Sequence, residues 1–169
     1  ATFLSYNSTG LSDQKCDWLK NLSETSGATY VNIQEHFRKS KTIDKYFKEQ
    51  FPKYNAYVIP GFRGPGQTKG RPIAGIAQLS LSDIAIRKDR VMTNGSRIQA
   101  QVLNFSQTRL LWLNVYFPCD PQPAALDEAE LVKVLSEIEA VLDSADYDDV
   151  LICGDVKAVR VLYYGEKVF

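Results

Sequence analysis

Short runs of apolar, β-branched and aromatic residues alternate along this chain with amphipathic stretches, and the pattern marks out its elements. Residues 2–8 (TFLSYNS) open as a β-prone run. Ser12 is placed to cap a helix over 13–22, where Leu11, Trp18, Leu19 and Leu22 give a rough apolar face and Gly27 closes the segment. Residues 28–33 (ATYVNI) read as a buried strand. Ile43, Tyr46, Phe47 and Phe51 recur at helical spacing and predict a short helix over 40–51 that Pro52 ends. A strand over 54–59 precedes residues 60–72 (PGFRGPGQTKGRP), a basic Gly/Pro-rich loop. Strands are expected over 73–81 and 84–87. The Asn94-Gly95 turn leads into a mostly alternating strand over 97–105. The apolar run 109–117 (RLLWLNVYF) predicts a further strand, broken by residues 118–123. Residues 126–143 carry the strongest helical pattern, with Leu131, Leu135, Ile138 and Leu142 on one face and acids on the other. Residues 149–153 (DVLIC) form a buried strand ending in Gly154-Asp155, and the tail 156–169 has no clear assignment.

Many strands, several of them hairpin-linked, with helices between them, predict a mixed or antiparallel sheet with helices on one face, an α/β or α+β layered domain. The 169 residues amount to one domain. With 44% hydrophobic and 24% charged residues the composition is globular. Twenty basic against 20 acidic residues exclude a strongly basic nucleic-acid coat but leave a local basic face open. No apolar run approaches the ~18 residues of a membrane span, so no membrane partner is expected. Cys16, Cys119 and Cys153 are too few and too scattered for a disulfide framework or a zinc site; reduced thiols of an intracellular protein are the expectation. Starting at Ala1 with no leader-like segment, the chain reads as a piece of a longer reading frame.

Polar residues stand at the ends of apolar strands in four places: Asn7; Gln34-Glu35-His36; Asn114 and Tyr116; and Asp155. A strand end is where a sheet presents side chains to a shared rim. Asn7, Glu35 and Asp155 offer hard oxygens of the kind Mg²⁺ takes, although a carboxylate after a strand is more commonly a turn or cap residue. The single histidine, His36, reads as a surface neighbour of Glu35 rather than a base. The loop 60–72 matches no nucleotide-binding glycine motif, and its cations suit a phosphate backbone.

The order of these stations is specific. An Asn ends the first strand and Gln-Glu follows the second. A Gly-rich loop and the run Gly70-Arg71-Pro72-Ile73-Ala74-Gly75-Ile76-Ala77 come next. Then follow Asn114-Val115-Tyr116-Phe117-Pro118, a helix, and Leu151-Ile152-Cys153-Gly154-Asp155. Over residues 1–155 this resembles the endonuclease/exonuclease/phosphatase superfamily, most closely the endonuclease domain of non-LTR (LINE-type) retrotransposons. Residues 156–169 form a divergent tail.

The resemblance implies a four-layered, DNase I-like α/β sandwich of two sheets between helical layers, with the second sheet incomplete here. It implies DNA nicking by phosphodiester hydrolysis with Mg²⁺ (or Mn²⁺). Asn7 and Glu35 would organise the metal, Tyr116 would contact the scissile phosphate, and Asp155 would position or activate the attacking water. Arg63, Lys69 and Arg71 would meet the DNA backbone. The parent polypeptide would carry a reverse transcriptase domain and work in the nucleus. Two departures stand out. The family's Gly-Asp-x-Asn is Gly154-Asp155-Val156-Lys157 here, and neither Asp nor His follows Asp155. Impaired activity of this truncated chain is the consequence. The alternatives are a small-molecule phosphoesterase of the same superfamily and a non-catalytic nucleic-acid-binding remnant.

Overall fold

The structure is a computed structural model. It describes residues 1–39, 42–63, 69–70, 72–95, 97–117 and 124–155, the side chains of 124–128 and 155 excepted. In chain order the elements are β1 (Phe3–Asn7), α1 (Asp13–Ser26), β2 (Tyr30–Gln34), α2 (Ile43–Gln50), β3 (Tyr54–Ile59), β4 (Ile76–Leu81), β5 (Arg87–Val91), β6 (Ile98–Asn104), β7 (Arg109–Tyr116), α3 (Ala124–Ser144) and β8 (Asp149–Asp155). Helix α1 begins where Ser12 Oγ accepts a hydrogen bond from the Lys15 amide. It ends at Gly27, whose φ of 63° is the left-handed conformation of a C-cap.

The strands form two four-stranded sheets, β1-β2-β4-β3 and β5-β6-β7-β8. Each is mixed: β1 runs parallel to β2 and β7 parallel to β8, while the other pairs are antiparallel. Leu11, Cys16 and Leu19 around α1, with Ile43, Phe47 and Phe51 around α2, pack on Val31, Ile33, Ala77 and Leu79 of the first sheet. Val134, Ile138 and Val141 of α3 pack on Ile98, Ala100, Val102, Leu111, Leu113 and Val115 of the second. Fully buried Phe47 alone contributes ~1.5–3 kcal/mol of transfer free energy. Helices therefore cover both outer faces of a four-layered sandwich. The four layers are those the resemblance implies; the helices on one face expected from the strand pattern alone are corrected to helices on both outer faces.

The reason lies in the inner faces. Alternation in β2, β4, β6 and β7 sends apolar side chains to the helices and amides to the other sheet. Tyr30, Leu103 and Trp112 fill the lower part of the inter-sheet space. Above them Gln101 Nε2 donates to Gln78 Oε1 (3.0 Å), and Gln78 Nε2 donates to the Trp112 carbonyl (3.1 Å). Gln34 Nε2 donates to Asn114 Oδ1 (2.6 Å), and Asn114 Nδ2 donates to the carbonyls of Ala77 (3.0 Å) and Ile33 (3.3 Å). Buried amides satisfied in this way tie the two sheets together.

Two strand starts and one helix face differ most from the sequence reading. Strand β4 starts at Ile76 rather than 73, because Ala74 and Gly75 take left-handed φ values of 57° and 88°. The strand expected over 84–87 begins at Arg87 instead. The α3 stripe is rotated: Val134 and Val141 point inward, and Leu135 is 39% exposed. At the edge of the second sheet, Val150 and Ile152 of β8 are also partly exposed. The tail 156–169, with Lys157, lies outside the described residues, as do Arg71 and Cys119.

Candidate active site

Strands β1 and β2 end side by side, with Asn7 opposite Gln34. The chain beyond them stays in register: the amides of Ser8, Gly10 and Leu11 donate to the carbonyls of Gln34, Glu35 and His36. Buried Ser8 adds its hydroxyl, which donates to the Gln34 and Glu35 carbonyls, each at 2.9 Å. Lys15 Nζ reaches back from α1 to the Ser8 carbonyl. Among the described residues, the non-glycine residues with left-handed φ are Thr9, Glu35, Phe37 and Ala74, and all four lie at this rim. Such conformations cost ~1–3 kcal/mol each and collect where a site over-determines its backbone.

Glu35 is lifted out of the strand by this turn. Its Oε1 accepts from Asn7 Nδ2 at 3.2 Å, while Asn7 Oδ1 accepts from the Thr9 amide (3.0 Å) and hydroxyl (3.3 Å). Asn7 thus orients the Glu35 carboxylate. Among the described residues no Lys, Arg or His forms an ion pair with Glu35. No group of three or more His, Cys, Asp or Glu side chains assembles among them either. A half-buried carboxylate without a protein cation suits Mg²⁺, which binds through one or two carboxylates and keeps several waters.

His36 corrects a sequence expectation. It is buried, not on the surface: Nε2 meets the Ile59 carbonyl at 3.0 Å and Nδ1 accepts from the Arg38 amide at 3.0 Å. Burial lowers its pKa to about 4, so the ring is neutral and supports the turn. Its imidazole fills the space in front of Gly75, where a Cβ would stand 2.5 Å from His36 Cε1. That contact explains Gly75, the second glycine of the run 70–77.

The second sheet brings Tyr116 and the backbone of Asp155 to the same end of the sandwich, paired at the last step of β7 and β8. The Gln34–Asn114 hydrogen bond joins the two sheets just below this rim. Gly154 lets the two strands meet, since a Cβ there would lie 1.9 Å from the Val115 carbonyl oxygen. The side chain of Asp155 lies outside the described residues. Arg97, which the sequence reading did not single out, stacks between Tyr116 (5.2 Å) and Phe62 (5.5 Å). Its sequence signal is a lone cation just after the Asn94-Gly95 turn. Asn114 is buried inter-sheet structure rather than a rim group. Of the three basic loop residues, Arg63 donates to the Gly70 carbonyl at 2.9 Å, Lys69 is exposed, and Arg71 lies outside the described residues.

No protein-family profile and no curated protein sequence matches the chain. Solved structures do. The AP endonuclease LMAP from Leishmania major superposes with a TM-score of 0.68 at 14% identity, over 90% of this chain and 54% of that one. The fold is DNase I-like. The endonuclease domain of TRAS1, a telomere-specific non-LTR retrotransposon, gives 0.59 at 17% identity, over 94% of this chain and 61% of that one. A mannosyl-6-phosphatase from Bacteroides thetaiotaomicron gives 0.59 at 15%, over 90% and 64%. The chain therefore spans roughly half to two thirds of the length of the DNase I-like structures it matches.

Proposed function

We propose that the chain is the N-terminal part of a Mg²⁺-dependent phosphodiesterase domain that nicks DNA, of the kind carried by non-LTR retrotransposons. The observation that carries this reading is the Asn7–Glu35 pair, held at a strained rim directly above the joint with the strand of Tyr116. A fold shared with an AP endonuclease, a retrotransposon endonuclease domain and a sugar phosphatase supports phosphoester hydrolysis as its chemistry. Glu35 would hold Mg²⁺ (or Mn²⁺), and Asn7 would fix the carboxylate that does so. The ion supplies charge to offset that developing on the phosphoryl oxygens. Tyr116 donates its phenol toward the phosphate, and Asp155 orients the attacking water. Lys69, Arg63 and Arg71 track the backbone. The parent polypeptide carries a reverse transcriptase domain and acts in the nucleus.

The test compares the 169-residue chain with a chimera that carries Lys157→Asn and continues after residue 157 into the C-terminal part of the TRAS1 endonuclease domain. Lysine attracts phosphate but accepts no hydrogen bond, which the replaced amide could do. We expect no detectable nicking of supercoiled plasmid by the chain itself and Mg²⁺-dependent nicking by the chimera. Glu35→Ala or Asp155→Ala in the chimera should lower the rate on the order of 10²–10³-fold. A chimera that cleaves mannose 6-phosphate but not plasmid would assign a small phosphate ester instead. DNA binding without turnover would assign a binding remnant.

A further inference from the structure

On the flank of the sandwich, away from the rim of Glu35, β3 and β5 end their respective sheets. A cleft of about 210 Å³ opens between them. It is the inner part, with room for one small group, of a wider groove of about 610 Å³ that continues past Asn55, Tyr57 and Arg90 to Lys48 and Asp44. Alternation in β5 sets its charge. Lys88 and Arg90 lie opposite Leu103 and Gln101, which face the first sheet, so both cations point into the cleft. Asp89 between them lies opposite Val102, on the α3 side, and is occupied by Arg87 (3.0 Å) and Asn104 (3.1 Å).

Neither cation has a carboxylate partner among the described residues. Lys88 Nζ donates to the hydroxyl of buried Ser80 at 2.8 Å, which leaves the Ser80 proton free to point onward. Arg90 lies over the Tyr57 ring at 4.3 Å, which holds its guanidinium plane while leaving its N–H edges open. Asn55 adds an exposed amide to the same wall. Two cations, a hydroxyl and an amide converge here with no acid among them. A partly buried ammonium without a counter-charge is unfavourable, and burial indeed lowers the Lys88 pKa. An anion would relieve it.

We propose that this cleft binds a phosphate group through Lys88, Arg90 and Ser80. The donors outnumber what a two-oxygen carboxylate accepts, and the guanidinium fork matches phosphate geometry. The phosphate is either free or part of a nucleic-acid backbone. This inference does not rest on the phosphoesterase reading, because the cleft contains neither Glu35 nor Tyr116.

Titration of the folded chain with inorganic phosphate, and separately with a short oligonucleotide lacking terminal phosphates, tests it. Backbone and side-chain amide NMR of Asn55, Gln78 and Gln101, which line the cleft in every variant, is the readout, and acetate is the carboxylate control. We expect saturable shifts with at least one phosphate source, weakened about tenfold or more by Lys88→Met or Arg90→Gln. Lys88→Arg keeps the charge and should retain binding; near-UV circular dichroism checks the fold of each variant. Saturation by inorganic phosphate assigns a free phosphate, and response to the oligonucleotide alone assigns a backbone phosphate. Undiminished binding by a folded Lys88→Met, Arg90→Gln double variant would overturn the proposal. So would acetate binding as tightly as phosphate, or no response to either phosphate source.

Discussion

The two sides of the rim are built by opposite means. On the first-sheet side, the backbone beyond β1 and β2 is fixed by left-handed residues, the Ser8 hydroxyl and the buried His36 ring, and the Glu35 carboxylate hangs from that frame. On the second-sheet side, Tyr116 and Asp155 sit on regular paired strands, and their placement depends on how closely β8 approaches β7. One half of the site is therefore positioned by local strain and the other by sheet register. A local change should disturb the first half alone, whereas a change in strand approach should disturb the whole second sheet.

The largest effect should come from the second half. Gly154→Ala places a methyl against the Val115 backbone, which cannot move without breaking the β7–β8 ladder. A loss above about 4 kcal/mol is expected by urea denaturation. A cost under ~1 kcal/mol would show that register does not position this half. Asn114→Ala strikes the joint between the halves, leaving Gln34 Nε2 with Ser5 Oγ alone and taking the amide donor from the Ile33 and Ala77 carbonyls, and should cost on the order of 3 kcal/mol.

The first half should respond to pH. The His36 pKa is lowered to about 4, against ~6.5 for the unfolded chain. Between these values the unfolded state binds the proton and the folded state does not. The stability from burying the neutral ring is thus full above ~6.5 and lost as pH falls toward about 4, on the order of 3 kcal/mol in total. His36→Gln should flatten that part of the stability–pH curve; an unchanged curve would break the assignment. The smallest effect should be Asn7→Ala, about 1 kcal/mol in stability, because the Asn7–Glu35 hydrogen bond is only part-buried.

This contrast also explains what could be read in the sequence. Regular elements were legible: Ser12 and Gly27 bracket α1 by their capping chemistry, and the apolar runs give β2, β7 and β8 within a residue or two. So was the order of polar residues at the strand ends. The left-handed turn was not, because Thr9, Glu35, Phe37 and Ala74 carry none of the glycine signal that φ > 0 normally leaves. The second sheet came from the resemblance and not from the strand pattern, for another reason. Gln78, Gln99 and Gln101 are the polar positions of their strands, which alternation alone does not distinguish from solvent-facing ones, and only the opposing sheet shows that they are buried. The α3 stripe was misjudged because Leu135 and Val134 are equally apolar and only the packing decides which faces in.

The amides between the sheets have a consequence for the rim above them. Two greasy faces can slide past one another by fractions of a side chain with little penalty, since dispersion has no direction. Interlocked carboxamides cannot, because their hydrogen bonds are directional and hold only at one relative height of the sheets. The middle of this sandwich therefore acts like the teeth of a gauge block. It indexes one sheet against the other, so that a carboxylate carried by β2 and a phenol carried by β7 are held at a fixed spacing even though no covalent or direct contact between them is needed.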